Sequence, residues 1–553
     1  MTREGDFSAL DRQFGDLVAR LAAGSAPEAQ LAAMCASRAR AQGHICVSLG
    51  EIAAAVATRA AALRKDLLAS KVVGAPGAFT PLVLDAHDRL YLRRYWEYEQ
   101  QLAAAILARA GAQNAQPAPN DKSDLQKVAA ERAVTNFFTV ITGGPGTGKT
   151  RTVMQILQLL LEQPGGEKLR VALAAPTGKA AARLTEAARA IRESYEATTI
   201  HRLLGYLPGS PYFRYNAERP LNADLVIVDE ASMVDLALMA KLLAAVPNDA
   251  RLVLLGDRDQ LASVEAGNVL ADICAAAEAA APSESLHGTV VALRRNYRFA
   301  ETGGIYRVSS AINSGDIEAA LAALQERAQS EIECQPLPAA TSLGRALRER
   351  IVAGFRGYLE AGEPREALLR LQQFRILAAL RHGPFGVEKL NAIVEEILAD
   401  AGLLVARRGW YRGQPLMITQ NDYNLSLFNG DSGIILPDPL SGGELRAFFL
   451  SGEDRVRRFL PSRLPAHETA FAITVHKSQG SELERLLLIL PEKDNPVLTR
   501  ELLYTAITRA RQAVTLWSNE TILRAAISRR TIRHSGLRET LVSRSAIRKS
   551  SSP

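Results

Sequence analysis

The sequence predicts an α/β protein with two parallel-sheet domains, an N-terminal helical domain and a small β module inserted in the second sheet domain. Three observations carry that expectation. Between about 124 and 300, the apolar runs FFTVIT, RVALAAPT, DLVIVDE, RLVLLGD and TVVALRR alternate with helical stretches, as in a parallel sheet covered on both faces. A second set follows in FRILAAL, AFAITV, ERLLLIL and AVTLWS, between 374 and 518. Third, GGPGTGKT at 143–150 stands after an apolar strand and before the helical run TVMQILQLLLEQ, where a strand hands over to a helix.

A chain of 553 residues is too long for one ordinary core. Residues 1–112 are rich in Ala and Leu at helical spacing and read as a partner-contact domain. Its aromatic group Tyr91, Tyr95, Trp96 and Tyr98 fits a partner surface or a core stripe. GAQNAQPAPNDKS (111–123) supplies a linker at 113–123. The first sheet domain is expected over 124–370 with a short hairpin at 206–220, and the second over 371–535. Within the second, QPLMITQ, DSGIILPD, ELRAFFL and DRVRRFLP mark an antiparallel insertion at about 405–465, and 536–553 form a basic, partly disordered tail.

Cys35, Cys46, Cys274 and Cys334 are scattered without a CxxC pair, which argues against zinc, an iron–sulfur cluster or a disulfide framework and fits core thiols in a reducing cytoplasm. The start is polar and acidic, and no apolar stretch reaches membrane-spanning length, so a cytoplasmic protein without membrane contact is expected. The net charge of +7 lies in residues 521–553, which carry eight basic side chains and Glu539 alone as an acid. The remainder is neutral, and the basic surplus suits a nucleic-acid or acidic-protein contact.

The glycine run is the most specific chemical signal. Gly143, Gly144, Pro145, Gly146, Thr147 and Gly148 can turn several N–H groups onto one set of phosphates, while Lys149 reaches their oxygens and the Thr150 hydroxyl holds Mg²⁺. The pattern therefore calls for ATP or a like triphosphate. DLVIVDE delivers Asp229 and Glu230 at the end of a buried strand, Asp229 to complete the Mg²⁺ shell and Glu230 to deprotonate the attacking water. A bland alternative makes the pair a helix cap. In RLVLLGDRDQL, the amide of Gln260 can distinguish triphosphate from diphosphate; Arg298 and Arg509 can stabilise transition-state charge from the far side of a cleft.

In order, these segments resemble the motifs of superfamily 1 helicases. GGPGTGKT matches motif I, APTGKAAARL (175–184) motif Ia, VDEAS (228–232) motif II and GDRDQL motif III. NYR (296–298) is similar to motif IV, TVHKSQGSE (474–482) to motif V and YTAITRAR (504–511) to motif VI. Gln126 lies 23 residues before Lys149, where the superfamily places an adenine-reading glutamine. Within the superfamily the likeness runs to the RecD family, the α subunits of exodeoxyribonuclease V. It continues in LDRQF (10–14), GHICVSL (43–49), LYLRRYWEYE (90–99), LAALRHGPFGVEKLN (377–391), SLFNGDSGIIL (426–436) and RRTIRHSGL (529–537). Leu125 departs from the tryptophan that the family carries before its glutamine.

The resemblance implies two RecA-like motor domains, an SH3-like inserted module and an ATP-dependent 5′ to 3′ single-strand DNA translocase. It also implies RecB-like and RecC-like partner subunits and DNA ends as substrate, with no nuclease centre in this chain. Pro176, Thr177, Lys179, Thr474 and His476 would grip phosphates along the tops of both sheets, although His476 fits a structural role as well. Tyr212 and Phe213 would stack on bases from the hairpin or pack on the core. The rival readings are a stand-alone helicase of the same branch and a non-catalytic ATP-binding assembly subunit.

Overall fold

The computed structural model describes residues 7–22, 27–111, 124–300, 302–326, 331–405, 409–422, 424–451 and 455–547. The expected linker at 113–123 and the end of the tail lie outside them. The N-terminal domain opens on the helices Ala9–Leu21 and Pro27–Ala41, the first started by a reciprocal capping box between Ser8 and Asp11. The helical region expected here also carries a small sheet, β1 (Cys46–Ser48), β2 (Val73–Gly74), β3 (Leu82–Leu84) and β4 (Arg89–Leu92), in the order β1-β4-β3-β2. Strands of two to four residues are too short to print an alternation in the sequence. The helix Arg93–Ala110 then lies on the first parallel-sheet lobe, and Tyr95, Trp96 and Tyr98 pack against that lobe's core, which is the core-stripe alternative.

The first lobe is built on β5 (Phe138–Gly143), β6 (Val171–Ala175), β7 (Ala197–Thr199), β8 (Leu225–Val228), β9 (Arg251–Gly256) and β10 (Val290–Leu293). Their order is β10-β5-β9-β8-β6-β7 and every pairing is parallel, so all the strands end on one edge. β5, β8 and β9 are almost wholly buried, which explains their continuous apolar runs.

The second lobe contains β11 (Ile332–Gln335) and β12 (Phe374–Ala378), then the module of β13 (Pro415–Ile418), β14 (Ser432–Asp438), β15 (Glu444–Ser451), β16 (Arg455–Phe459) and β17 (His467–Thr469). β18 (Ala472–Thr474), β19 (Leu483–Ile489) and β20 (Ala510–Trp517) complete it. The lobe sheet runs β11-β20-β19-β12-β18, all parallel, and the module is antiparallel in the order β16-β15-β14-β13-β17.

Three expectations are corrected. The boundary between lobes falls near 300, not at 370, because Ile305, Val308, Ile312 and Leu321 pack with Leu486, Leu502 and Ile507, and β11 pairs β20. The short, half-exposed β11 gave the sequence no apolar run to mark it. The hairpin expected at 206–220 is reduced to one antiparallel bridge, Tyr206 to Phe213, beside which Arg214 N donates to Gly205 O (2.9 Å) and Tyr215 N to Leu204 O (3.0 Å); Pro208 and Pro211 cannot donate to a longer ladder. The tail is ordered as a helix over Leu537–Ile547, with Leu537 and Leu541 buried in the first lobe's core.

Ahead of that helix the chain forms a strap beneath the N-terminal domain. Ile45 N donates to His534 O (2.8 Å), His534 N to His44 Nδ1 (3.0 Å) and Gly536 N to the Glu99 carboxylate (2.9 Å). Burial raises the Glu99 carboxyl to about 7 against the pull of Gly536 and Arg89. A carboxyl raised on folding contributes stability below its unfolded pKa, and that contribution fades as pH rises through about 7. Glu99→Gln keeps an acceptor for Gly536 and cannot ionise. Between pH 5.5 and 8 its melting temperature should therefore gain about 2 °C on the wild type, and parallel pH profiles in differential scanning fluorimetry would contradict this.

Candidate nucleotide site and interlobe cleft

β5 ends at Gly143 and the helix Lys149–Leu161 begins past the glycine run. Gly146 and Gly148 have φ of 82° and 85°, left-handed values that cost glycine little. The loop curls so that Lys149 Nζ donates to the carbonyls of Gly143 (2.7 Å) and Gly144 (3.2 Å), while Thr147 Oγ1 donates to Gly144 O (2.8 Å). The ammonium thus lies across the loop on neutral acceptors that phosphate oxygens outcompete. Thr150 is exposed at the start of the helix.

Gln126, next to the helix start capped by Asp124, is 5% exposed and donates from Nε2 to Thr147 O at 3.0 Å. It therefore touches the loop directly. β9 lies between β5 and β8, so adjacent strand ends bring Asp257 and Asp229 to the same edge as the loop. Burial and the neighbouring Glu230 raise Asp229 to about 6, with Lys149 opposing. Burial likewise raises Asp257 to about 6, again opposed by Lys149. Glu230 holds φ 53°, a left-handed setting that costs a residue with a side chain and marks a constrained strand end.

The second lobe and the segment leading to it close on this edge. Asn296 Nδ2 donates to Pro145 O (2.8 Å) and Tyr297 N to Gly146 O (2.8 Å), while Asn296 Oδ1 accepts from the backbone of Arg298 and Phe299. Tyr504 Oη donates to Asp257 Oδ2 (3.0 Å), and Thr505 Oγ1 accepts from Leu261 N (2.9 Å). Gln260 is 4% exposed; its Nε2 donates to Asp257 Oδ2 (3.1 Å), and its Oε1 is buried without a partner.

The two expected arginines lie near one another at the boundary between the lobes. Arg298 pairs with Glu482, which also collects Arg511 (3.2 Å) and Arg183 (3.6 Å). These three guanidiniums hold the Glu482 carboxyl below its ordinary value despite burial. Arg509 is 4% exposed and donates to the backbone oxygens of Thr505 and Ser481, both at 3.3 Å. Asn296, Tyr504 and Glu482 stand inside the helicase-like motifs without a residue type that marks their role in the sequence.

The expected DNA contacts are less uniform. Thr177 caps the helix Gly178–Arg189, and Thr474 Oγ1 accepts from Lys477 N. Pro176 is half-buried beside Thr177. Lys179 does not face an open groove: its Nζ donates to Ser481 across the cleft at 2.8 Å, and burial with Arg183 and Arg375 nearby lowers it to about 7. His476 is half-buried, and burial lowers its pKa. Tyr212 is 68% exposed, whereas Phe213 packs on His201 and Lys241, so only Tyr212 offers an open ring.

A phosphate loop in one parallel-sheet lobe, closed by a second lobe and by the arginine-bearing segment that leads to it, defines a two-lobed motor of the superfamily 1 helicase class. A family model described as the AAA domain matches residues 126–266, one for the UvrD-like helicase C-terminal domain matches 469–517, and one for the N-terminal domain of RecBCD enzyme subunit RecD matches 3–91. RecBCD enzyme subunit RecD of Mycolicibacterium smegmatis is 40% identical over 93% of this chain and 93% of its own length. The chain belongs to the RecD family. The ATP-dependent RecD2 DNA helicase of Deinococcus radiodurans is 33% identical over 76% of this chain but 54% of its own length. Among solved structures, the Pif1 helicase of Candida albicans is similar at 16% identity and TM-score 0.42, covering 78% of this chain and 100% of that one.

No helix among the described residues is long and apolar enough to cross a membrane, and no group of His, Cys, Asp and Glu there could hold a metal unaided. A metal at this edge would need phosphate oxygens beside Thr150 and Asp229. Because a Cβ on Gly148 would collide with the Gln126 amide and hold an unfavourable φ, Gly148→Ala should weaken binding of a fluorescent ATP analogue about tenfold or more. Unchanged affinity in a titration would refute the close approach of loop and glutamine.

Proposed function

We propose that this chain is an ATP-dependent 5′ to 3′ single-strand DNA translocase and helicase, acting as the RecD subunit beside RecB-like and RecC-like subunits on DNA ends. The observation that carries the reading is the convergence of segments from both lobes on one phosphate loop. Asn296 and Tyr297 hold Pro145 and Gly146, and Tyr504 reaches Asp257 behind them. A site closed from both sides couples the state of its nucleotide to the angle between lobes.

Lys149 would exchange the Gly143 and Gly144 carbonyls for phosphate oxygens, and Gln126 would read the base. Thr150 and Asp229 would hold Mg²⁺, which when bound would offset phosphate charge. Glu230 takes the proton of the attacking water, and Gln260 orients that water with its unpartnered carbonyl oxygen. Arg298 and Arg509 stabilise the charge that develops at the γ-phosphate. Thr177, Thr474 and His476 would grip DNA phosphates, with Lys179 released from Ser481 when the lobes part, and Tyr212 stacks a base at the fork.

Similarity favours this reading over a stand-alone helicase: the chain is 40% identical to a RecD relative and 33% identical to a RecD2 relative, and residues 3–91 match the RecD N-terminal domain. A complete set of hydrolytic residues weighs against a non-catalytic scaffold. Lys149→Ala should lower DNA-stimulated ATP turnover at least about 100-fold without loss of fold, since it removes the cation that meets the phosphates. Turnover equal to wild type, with or without single-stranded DNA, would end the assignment. Arg509→Ala should leave nucleotide affinity within about threefold and cut turnover about 100-fold; equal losses in both would make it an affinity residue only.

A further inference from the structure

We infer that Tyr504 is a positioning residue that sets Gln260 through Asp257, and so makes the water-orienting amide depend on the second lobe; the inference rests on the ATPase reading above. Tyr504 stands on the helix Arg500–Ile507 of the second lobe and is 7% exposed. Its hydroxyl crosses the cleft to Asp257 Oδ2, the same oxygen that accepts from Gln260 Nε2. Asp257 Oδ1 is already held by Asp259 N (3.0 Å), so this carboxylate is fixed at both oxygens, one of them by the other lobe.

The consequence lies in the amide. With Nε2 committed to Asp257, the Gln260 carbonyl must point away, and it is the atom left buried and unpartnered. An acceptor left empty in a buried site costs free energy until a donor arrives, and a water beside the γ-phosphate is such a donor. Without the Tyr504 hydroxyl, Asp257 loses one of the bonds that fix its plane, and the amide loses its aim.

Two further contacts make the device a relay of lobe position. A Cβ on Gly144 would lie 2.7 Å from the Tyr504 hydroxyl, so this hydroxyl rests against the phosphate loop itself. The next residue after Gln260 is bracketed by the second lobe as well, since Leu261 N donates to Thr505 Oγ1 and Leu261 O accepts from Gln479 Nε2 (2.9 Å). Parting the lobes breaks all of these at once. Tyr504 remains protonated throughout, because burial and Asp257 push its pKa far up, so it acts as a donor only.

The test is Tyr504→Phe in the full-length chain, which keeps the ring and removes one hydroxyl. DNA-stimulated kcat should fall about tenfold with KM for ATP within about twofold, because the loss bears on the reaction and not on binding. In a Gln260→Ala background the same change should lower kcat by less than about twofold, as expected when one residue acts through the other. Additive losses, a rise in KM with kcat unchanged, or wild-type kinetics in Tyr504→Phe would each overturn the inference. A wild-type chain without DNA-stimulated turnover would instead overturn the functional reading beneath it.

Discussion

The structure depends on how little room its phosphate loop has. Beside Gly146 lie the Arg298 Cβ and the Asn296 Oδ1, at 2.5 and 2.7 Å from where a side chain would start, and beside Gly144 lies the Tyr504 hydroxyl. The glycines permit the left-handed turns of the loop, and they also admit the other lobe to its backbone. Charge follows the same geometry. Lys149 faces Asp229 and Asp257, two carboxyls raised by burial, while three arginines surround Glu482 a short way off.

Around this centre, the remaining architecture serves to hold the two lobes in register. The first lobe contributes strand ends, and the second contributes the helix Arg500–Ile507 and the turn after β18. The inserted module also reaches the cleft, because the Phe428 ring lies against Gly178 at the start of the helix that follows β6. On the far side, the strap from 529 to 536 leaves the second lobe and ends in a helix on the first, under the N-terminal domain. The chain thus crosses between lobes twice, once through Asn296–Phe299 and once through the strap, and any change in cleft angle strains both.

Much of this was legible in the sequence, for definite reasons. Fully buried parallel strands such as β5, β8 and β9 print continuous apolar runs, and the loop GGPGTGKT prints its own turn geometry, so both sheets and the loop between strand and helix could be read directly. The misses share another cause. β11 is a half-exposed edge strand and β1 to β4 are too short to alternate, so neither the lobe boundary nor the small sheet had a periodic signature. The helix Leu537–Ile547 is stabilised by docking Leu537 and Leu541 on a distant core, which a local reading of a basic tail cannot register. Within the site, the pairings of Glu482 with three arginines and of Lys179 with Ser481 join residues far apart in the chain, and the motifs that contain them say nothing about who meets whom.

We propose that closure of the two lobes on one nucleotide becomes directed travel along a DNA strand. Strand displacement by the chain assembled with its partner subunits, the RecB-like motor being inactivated, tests it most directly. ATP-dependent unwinding should start from a 5′ single-stranded tail and not from a 3′ tail. ATP turnover without displacement from either tail, or displacement from the 3′ tail alone, would contradict the account.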